Sequence, residues 1–154
     1  MWSVVKKQAW VPSGEAQEAP VSRIAPVIIH EAIREEADSV RILPHADGLR
    51  IEYLLSGTWT ETMFIPKHLA SPLTEQYKRM AGLPLGYRAA LKGLIFIRYD
   101  EHGSIPIIEA TYASDPTQPV SNPLLPGERD YEVRLFLTPS RWGERIAMQI
   151  EEVS

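Results

Sequence analysis

The chain of 154 residues contains no cysteine, which excludes disulfides, thiolate metal sites and a cysteine nucleophile. That absence suits a reducing compartment. Long apolar runs are missing too, and nothing approaches the roughly 20 residues that a membrane-spanning helix needs. Lys6 and Lys7 are followed by no apolar core, so the amino terminus does not read as a secretory signal. With a net charge of −4 and no cluster of lysines and arginines, a nucleic-acid partner is not expected. Neither G-x-x-x-x-G-K-[ST] nor G-x-G-x-x-G occurs, and Leu91-Lys92-Gly93 has the wrong order and spacing to cradle a phosphate. His30, His45, His68 and His102 are scattered, without the i,i+3 or i,i+4 spacing that presents two metal ligands on a helix face. Ser13-Gly14 and Ser56-Gly57 lie outside any G-x-S-x-G context. The acidic groups Glu31/Glu35/Glu36 and Glu151/Glu152 read as solvated charge on a helix face and at a terminus. We therefore expect no catalytic residue, no metal and no cofactor.

What is present fits a cytoplasmic, single-domain protein. Hydrophobic residues make up 44% and charged residues 23%, ordinary values for a globular chain, and the length suffices to bury about two-thirds of the unfolded surface. Residues 1–21 read as an arm and linker, with Trp2 and Trp10 able to dock and Pro12–Pro20 as the linker itself. Residues 22–154 read as the domain. Ser22 is placed to cap a helix over Arg23–Glu36. Its apolar face is Ala25, Ile28, Ile29, Ala32 and Ile33, and its polar face is Arg23, His30, Glu31, Arg34 and Glu35. Pro26 is expected within the first turn, where backbone N–H groups lack helical partners.

Strands are expected over Val40–Leu43, Leu49–Leu55 and Thr58–Ile65, with turns at Pro44–Gly48 and Ser56-Gly57. A second helix carries Leu69, Leu73, Gln76 or Tyr77, and Met80, and stops at Gly82 and Pro84. Further strands are expected over Gly93–Tyr99, Ile105–Tyr112, Tyr131–Leu137 and Arg145–Glu151, with Thr138–Glu144 as the last turn. Ser114–Arg129, with Pro116, Pro119, Pro123 and Pro126, can form neither a helix nor a central strand. It reads as a proline-rich insertion. Two helices with six to seven strands linked at hairpin length predict an α+β domain with a largely antiparallel sheet.

Four stretches, in order, carry a family resemblance: Ala37–Pro44 (ADSVRILP), Gly48–Gly57 (GLRIEYLLSG), Met80–Leu83 (MAGL) and Arg134–Glu144 (RLFLTPSRWGE) followed by Ile146–Ile150. They resemble A-S-D-I-H-I-E-P, G-L-R-V-R-F-R-I-D-G, M-A-G-L and R-V-S-T-L-P-T-x-x-G-E in the domain that precedes the RecA-like motor of type II secretion and type IV pilus assembly ATPases. The resemblance covers most of Ser22–Glu151. It implies a PAS-like curved sheet flanked by helices, with the motor beginning where this chain ends. In the family, arginines of the R-x-R-x-D-G strand reach toward bound nucleotide. Here the corresponding positions are Arg50, Glu52 and Leu54, so only one cation is kept. Ser56 stands for the aspartate of the turn, and Arg41 and Leu43 stand for the histidine and glutamate of the preceding strand. The Ile105–Arg129 region has no counterpart. Together these departures imply a scaffold kept with its nucleotide contacts altered.

The leading expectation is thus a module without ATPase activity that binds a protein of a secretion or pilus machine. Arg41, Arg50, Glu52, Arg141 and Trp142 are the candidate contact residues, since arginine and tryptophan are enriched at interface hot spots. A monomer or dimer is expected. One alternative is a small-ligand sensor with a pocket under a loop. The other is an enzyme of unrecognised type, with His45, Arg50 and Glu52 converging beside Asp47-Gly48.

Overall fold

The computed structural model describes residues 20–86, 88–101, 124 and 126–153. The chain opens with α1 (Pro20–Arg34) and continues through β1 (Ser39–His45), β2 (Gly48–Leu55) and β3 (Thr58–Pro66). It then forms α2 (Lys67–Met80), β4 (Leu91–Asp100), β5 (Glu128–Ser140) and β6 (Gly143–Glu152). All strand pairs are antiparallel and the order is β3-β2-β1-β6-β5-β4, an open six-stranded sheet. The expected α+β architecture is therefore present. The arm over 1–19, the strand expected over Ile105–Tyr112 and most of the proline-rich stretch lie outside the described residues.

Alternation along each strand sorts the side chains onto two faces. Val40, Ile42, Leu49, Ile51, Tyr53, Met63 and Ile65 point inward from β1–β3. Ile95, Ile97, Val133, Leu135, Ile146 and Met148 point inward from β4–β6, and together they form one buried core with the helices. The β2–β3 turn has Ser56 at φ 51° and Gly57 at φ 81°, the positive angles of a two-residue primed hairpin that the Ser-Gly pair predicts. The β1–β2 turn is tighter than expected, because β1 continues through Pro44 to His45 and only Ala46-Asp47 remain outside the strands. Gly48 is required there: a Cβ would lie 2.1 Å from the Ile65 carbonyl oxygen of β3. The last three strands also outrun their expected limits. Glu128 and Arg129, assigned from sequence to the proline-rich insertion, begin β5, and only Arg141-Trp142 separate β5 from β6.

Helix α1 departs most from expectation. It begins at Pro20, two residues before the expected cap and inside the expected linker, so Pro26 is its seventh residue and no longer in its first turn. His30 and Glu31, expected on a solvated face, are 1% and 2% exposed. Amphipathic periodicity identifies the face that meets the sheet, but it cannot report burial of the opposite side. His30 lies with its ring centroid 4.7 Å from that of Tyr99, and its Nδ1 is 3.7 Å from Glu31 Oε2. Two tyrosines fasten α1 from different elements. Tyr53 Oη of β2 donates to the Ile28 carbonyl, and Tyr77 Oη of α2 donates to the Ala25 carbonyl, both at 2.7 Å. Each is a buried phenol with its polar atom satisfied, which lets the ring fill core volume without a desolvation penalty.

Both helices end the same way. In α1 the N–H of Ala37 reaches the Ala32 carbonyl and that of Glu36 reaches Ile33. In α2, Leu83 reaches Lys78 and Gly82 reaches Arg79, which is the Schellman pattern twice. The left-handed position is Gly82 in α2, at φ 68°, but Glu36 in α1, at φ 65°.

Two predictions follow from these contacts. Glu36 is exposed and holds a conformation that costs an L-residue about 1 kcal/mol. Glu36→Gly should therefore raise stability by up to about 1 kcal/mol, read from the urea unfolding midpoint. An unchanged or lower midpoint would refute it. Burial, the largest cause, together with Glu31 and Glu35, pushes the Tyr53 phenol well above its ordinary range. Burial and then Tyr53 do the same for Tyr77. The fold thus holds both phenols neutral. Their contribution is complete below about pH 10, where the unfolded chain begins to titrate, and declines above it because the unfolded state releases its protons first. The urea midpoint should fall as pH rises past about 10, and more gently in Tyr77→Phe.

Candidate functional site

The end of the sheet that carries the β1–β2 and β5–β6 turns meets one face of α2. Lys67, Ala70, Ser71, Thr74 and Lys78 recur at three- and four-residue spacing, so they form a single stripe along that helix. The stripe, Pro44, Leu49 and the β5–β6 turn enclose a cleft of about 420 Å³. At its base, Lys78 Nζ donates to Glu144 Oε1 at 2.8 Å, with the two side chains 1% and 8% exposed. The other carboxylate oxygen, Glu144 Oε2, is buried with no hydrogen-bond partner.

The local sequence explains this placement. Glu144 occupies an inward position of β6, in phase with Ile146, Met148 and Ile150. Lys78 sits beside Tyr77 on the buried side of α2. Each is a charge inserted into an apolar pattern, and each is tolerable only because the other is opposite. The turn between β5 and β6 is further fixed by Ser140 Oγ donating to the Gly143 carbonyl at 2.7 Å. Arg88 Nη2 donates to the Ser140 carbonyl at 3.1 Å. Trp142 stands on this turn, 52% exposed, with the Arg141 guanidinium 4.8 Å from its ring centroid.

The five residues singled out from sequence fall into two groups. Arg141 and Trp142 stand at the cleft. Arg41, Arg50 and Glu52 lie on the outer face of the sheet, where Arg50, Glu52 and Leu54 alternate as expected. Arg41 and Glu52 are register partners across β1 and β2, joined Nε to Oε1 at 2.6 Å, and the Arg41 guanidinium lies 4.1 Å over the Trp59 ring. Arg50 Nε is 3.2 Å from Glu61 Oε1, an ion pair without hydrogen-bond alignment. The convergence of His45, Arg50 and Glu52 beside Asp47-Gly48 does not form as an acid–base site, because Arg50 and Glu52 are each engaged with a different partner. Among the described residues, no group of three or more His, Asp or Glu side chains could hold a metal ion. No helix there is long and apolar enough to cross a membrane.

Lys78 and Glu144 escaped sequence reasoning. Their signal was the misfit of one charge in each of two apolar patterns. It was hidden because the last strand was expected to begin at Arg145, which put Glu144 in a turn.

No protein-family model matches the chain. Among curated proteins it is 23% identical over 139 residues to the type IV pilus assembly ATPase PilB of Myxococcus xanthus, a match covering 90% of this chain and 20% of that protein. It is 26% identical over 143 residues to the type IV pilus assembly ATPase PilB of Pseudomonas aeruginosa, covering 92% of this chain and 21% of that protein. The chain is thus weakly homologous to type IV pilus assembly ATPases along nearly its whole length, and it spans about a fifth of the length of these relatives.

The buried pair makes its own prediction. Lys78→Met or Glu144→Leu alone leaves an uncompensated buried charge and should cost about 3–5 kcal/mol. The double substitution should recover most of that loss. Chemical denaturation of the four proteins checks it, and additive losses would contradict the pairing.

Proposed function

We propose that this domain is a non-catalytic interaction module related to the type IV pilus assembly ATPases, and that it engages a protein partner through the Trp142 end of the sheet. The observation that carries this reading is a half-exposed tryptophan on a two-residue turn, fixed by the Ser140–Gly143 and Arg88–Ser140 hydrogen bonds, two residues before the buried Glu144 and lying under Arg141. A large aromatic on a rigid support contributes contact area with little ordering cost, which is the character of an interface anchor. On this reading the finer expectations also hold: a PAS-like sheet, a cytoplasmic setting, a partner from a pilus or secretion machine, and no ATPase activity of the domain itself.

The outer-face charges support the non-catalytic part. Arg41 and Arg50 are paired with Glu52 and Glu61, so the strand that resembles a nucleotide-facing one carries little unpaired positive charge for phosphate. The space between helices and sheet is occupied by Tyr53, Tyr77, Leu73, Ile42 and Ile51. That filling favours interaction over ligand sensing.

The test is calorimetric titration of the full chain against each purified component of a type IV pilus machine. One component should bind, and Trp142→Ala should weaken it at least about tenfold, the loss of about 1.4 kcal/mol that marks an anchor. Failure of every component to bind, or equal binding by wild type and variant, would overturn the reading.

A further inference from the structure

We infer that the cleft beneath Trp142 takes an extended polypeptide segment that supplies a neutral hydrogen-bond donor to Glu144 and an acidic side chain to Lys67. This inference rests on the interaction reading above and adds the chemistry of the partner.

The shape of the cleft indicates an extended occupant. Its helical wall runs from Lys67 to Lys78 along α2, a rise of about 16 Å, which matches about five residues of extended chain. Pro44, Leu49 and Ala70 give the cleft apolar lining beside its charged base, and Trp142 adds an exposed aromatic to the lining.

The base of the cleft defines the donor. Glu144 is 92% buried, its Oε1 is taken by Lys78, and its Oε2 has no partner. A second cation arriving at Oε2 would sit close to the Lys78 ammonium in a low-dielectric setting, where like charges repel strongly. A neutral N–H or O–H satisfies the acceptor without adding charge. A peptide backbone amide is such a donor and recurs along an extended segment.

The rim defines the flanking charge. Three cations (Lys67, Lys78, Arg88) and two carboxylates (Glu75, Glu144) line the cleft. Lys78 is spent on Glu144, Arg88 donates to the Ser140 carbonyl, and Glu75 Oε2 accepts the Gly86 N–H at 3.2 Å. Lys67 is exposed at the mouth and has no ion pair among the described residues. An acidic residue of the partner complements it, whereas a basic segment would meet an excess of positive charge.

The probe is a phage-displayed library of random peptides selected on the full chain, followed by synthesis of the enriched peptides and NMR titration of the Trp142 indole N–H. Enrichment of acidic peptides that shift this signal is expected. Affinity should fall at least tenfold in Lys67→Glu, an exposed change that leaves the fold intact, and in Glu144→Gln, which offers a donor where the free acceptor stood. Thermal unfolding of each variant separates lost binding from lost folding. Three outcomes would overturn the inference: enrichment of basic peptides or of none, unchanged affinity in Lys67→Glu, or full affinity in a folded Glu144→Gln, as when Oε2 serves only a resident water. If a pilus component still binds through Trp142 while the peptides fail, only this inference falls. If neither binds, the interaction reading falls with it.

Discussion

Among the described residues, the two halves of the sheet are joined by the pairing of β1 with β6, the most distant in sequence. β1 and β6 meet over only Ser39–Ile42 and Ile146–Gln149, whereas β1–β2, β2–β3, β4–β5 and β5–β6 join strands that follow one another among the described residues. Two three-stranded meanders are thus independent in sequence and single in space. Closing the loop between them carries an entropic cost that grows slowly with its length, so the residues on the two strands must offset it through packing. They do so with Val40, Ile42, Ile146 and Met148, all at most 1% exposed. Beyond the strand itself, the Ile150 N–H donates to the Asp38 carbonyl at 2.9 Å, extending the seam by one bond.

The helices are what make that seam rigid. α1 packs on α2 and touches β1, and its tyrosine bonds draw on both β2 and α2. Tyr77 therefore links the two helices, while Tyr53 links the first helix to the first meander. On the other side, Lys78 one residue along from Tyr77 reaches Glu144 at the start of the last strand. Neighbouring residues of α2 hold the first helix and the second meander, and this couples elements that the sheet joins only through the narrow β1–β6 contact.

Local grammar was legible in the sequence where a position had one solution. Ser56-Gly57 forms the hairpin it predicts, Gly82 ends α2 where its φ permits, and the inward phases of β1, β2 and β6 follow alternation. Boundaries were less legible, because proline and turn residues were read as punctuation. Pro44 lies inside β1 and Pro26 inside α1, so neither proline marks the boundary of its element. The burial of His30 and Glu31 was illegible for a different reason. Polar residues mark a face as exposed only on average, and whether another part of the chain covers that face is decided by tertiary packing. The candidate site was half legible. Trp142 stood out as an aromatic in a polar turn, but its supporting pair joins positions 66 residues apart and no local pattern connects them.

The same geometry bears on the stretches that carry the family resemblance. Stretches that resemble the pilus ATPases include Pro44, the Gly48-Leu49 start of β2, the Gly82-Leu83 cap and Gly143-Glu144. Pro44, Leu49, Gly143 and Glu144 line the cleft, and the Gly82-Leu83 cap returns its hydrogen bond to Lys78 itself. A residue at this end is constrained by a turn, a cap or a buried charge, each of which admits few substitutions. The outer face is free of such constraints. Its ion pairs require only complementary signs on neighbouring strands, directly opposite for Arg41 with Glu52 and diagonal for Arg50 with Glu61, and such pairs contribute little to stability when exposed. A face of that kind can change its charges without disturbing the fold, while the end that holds Lys78 and Glu144 cannot.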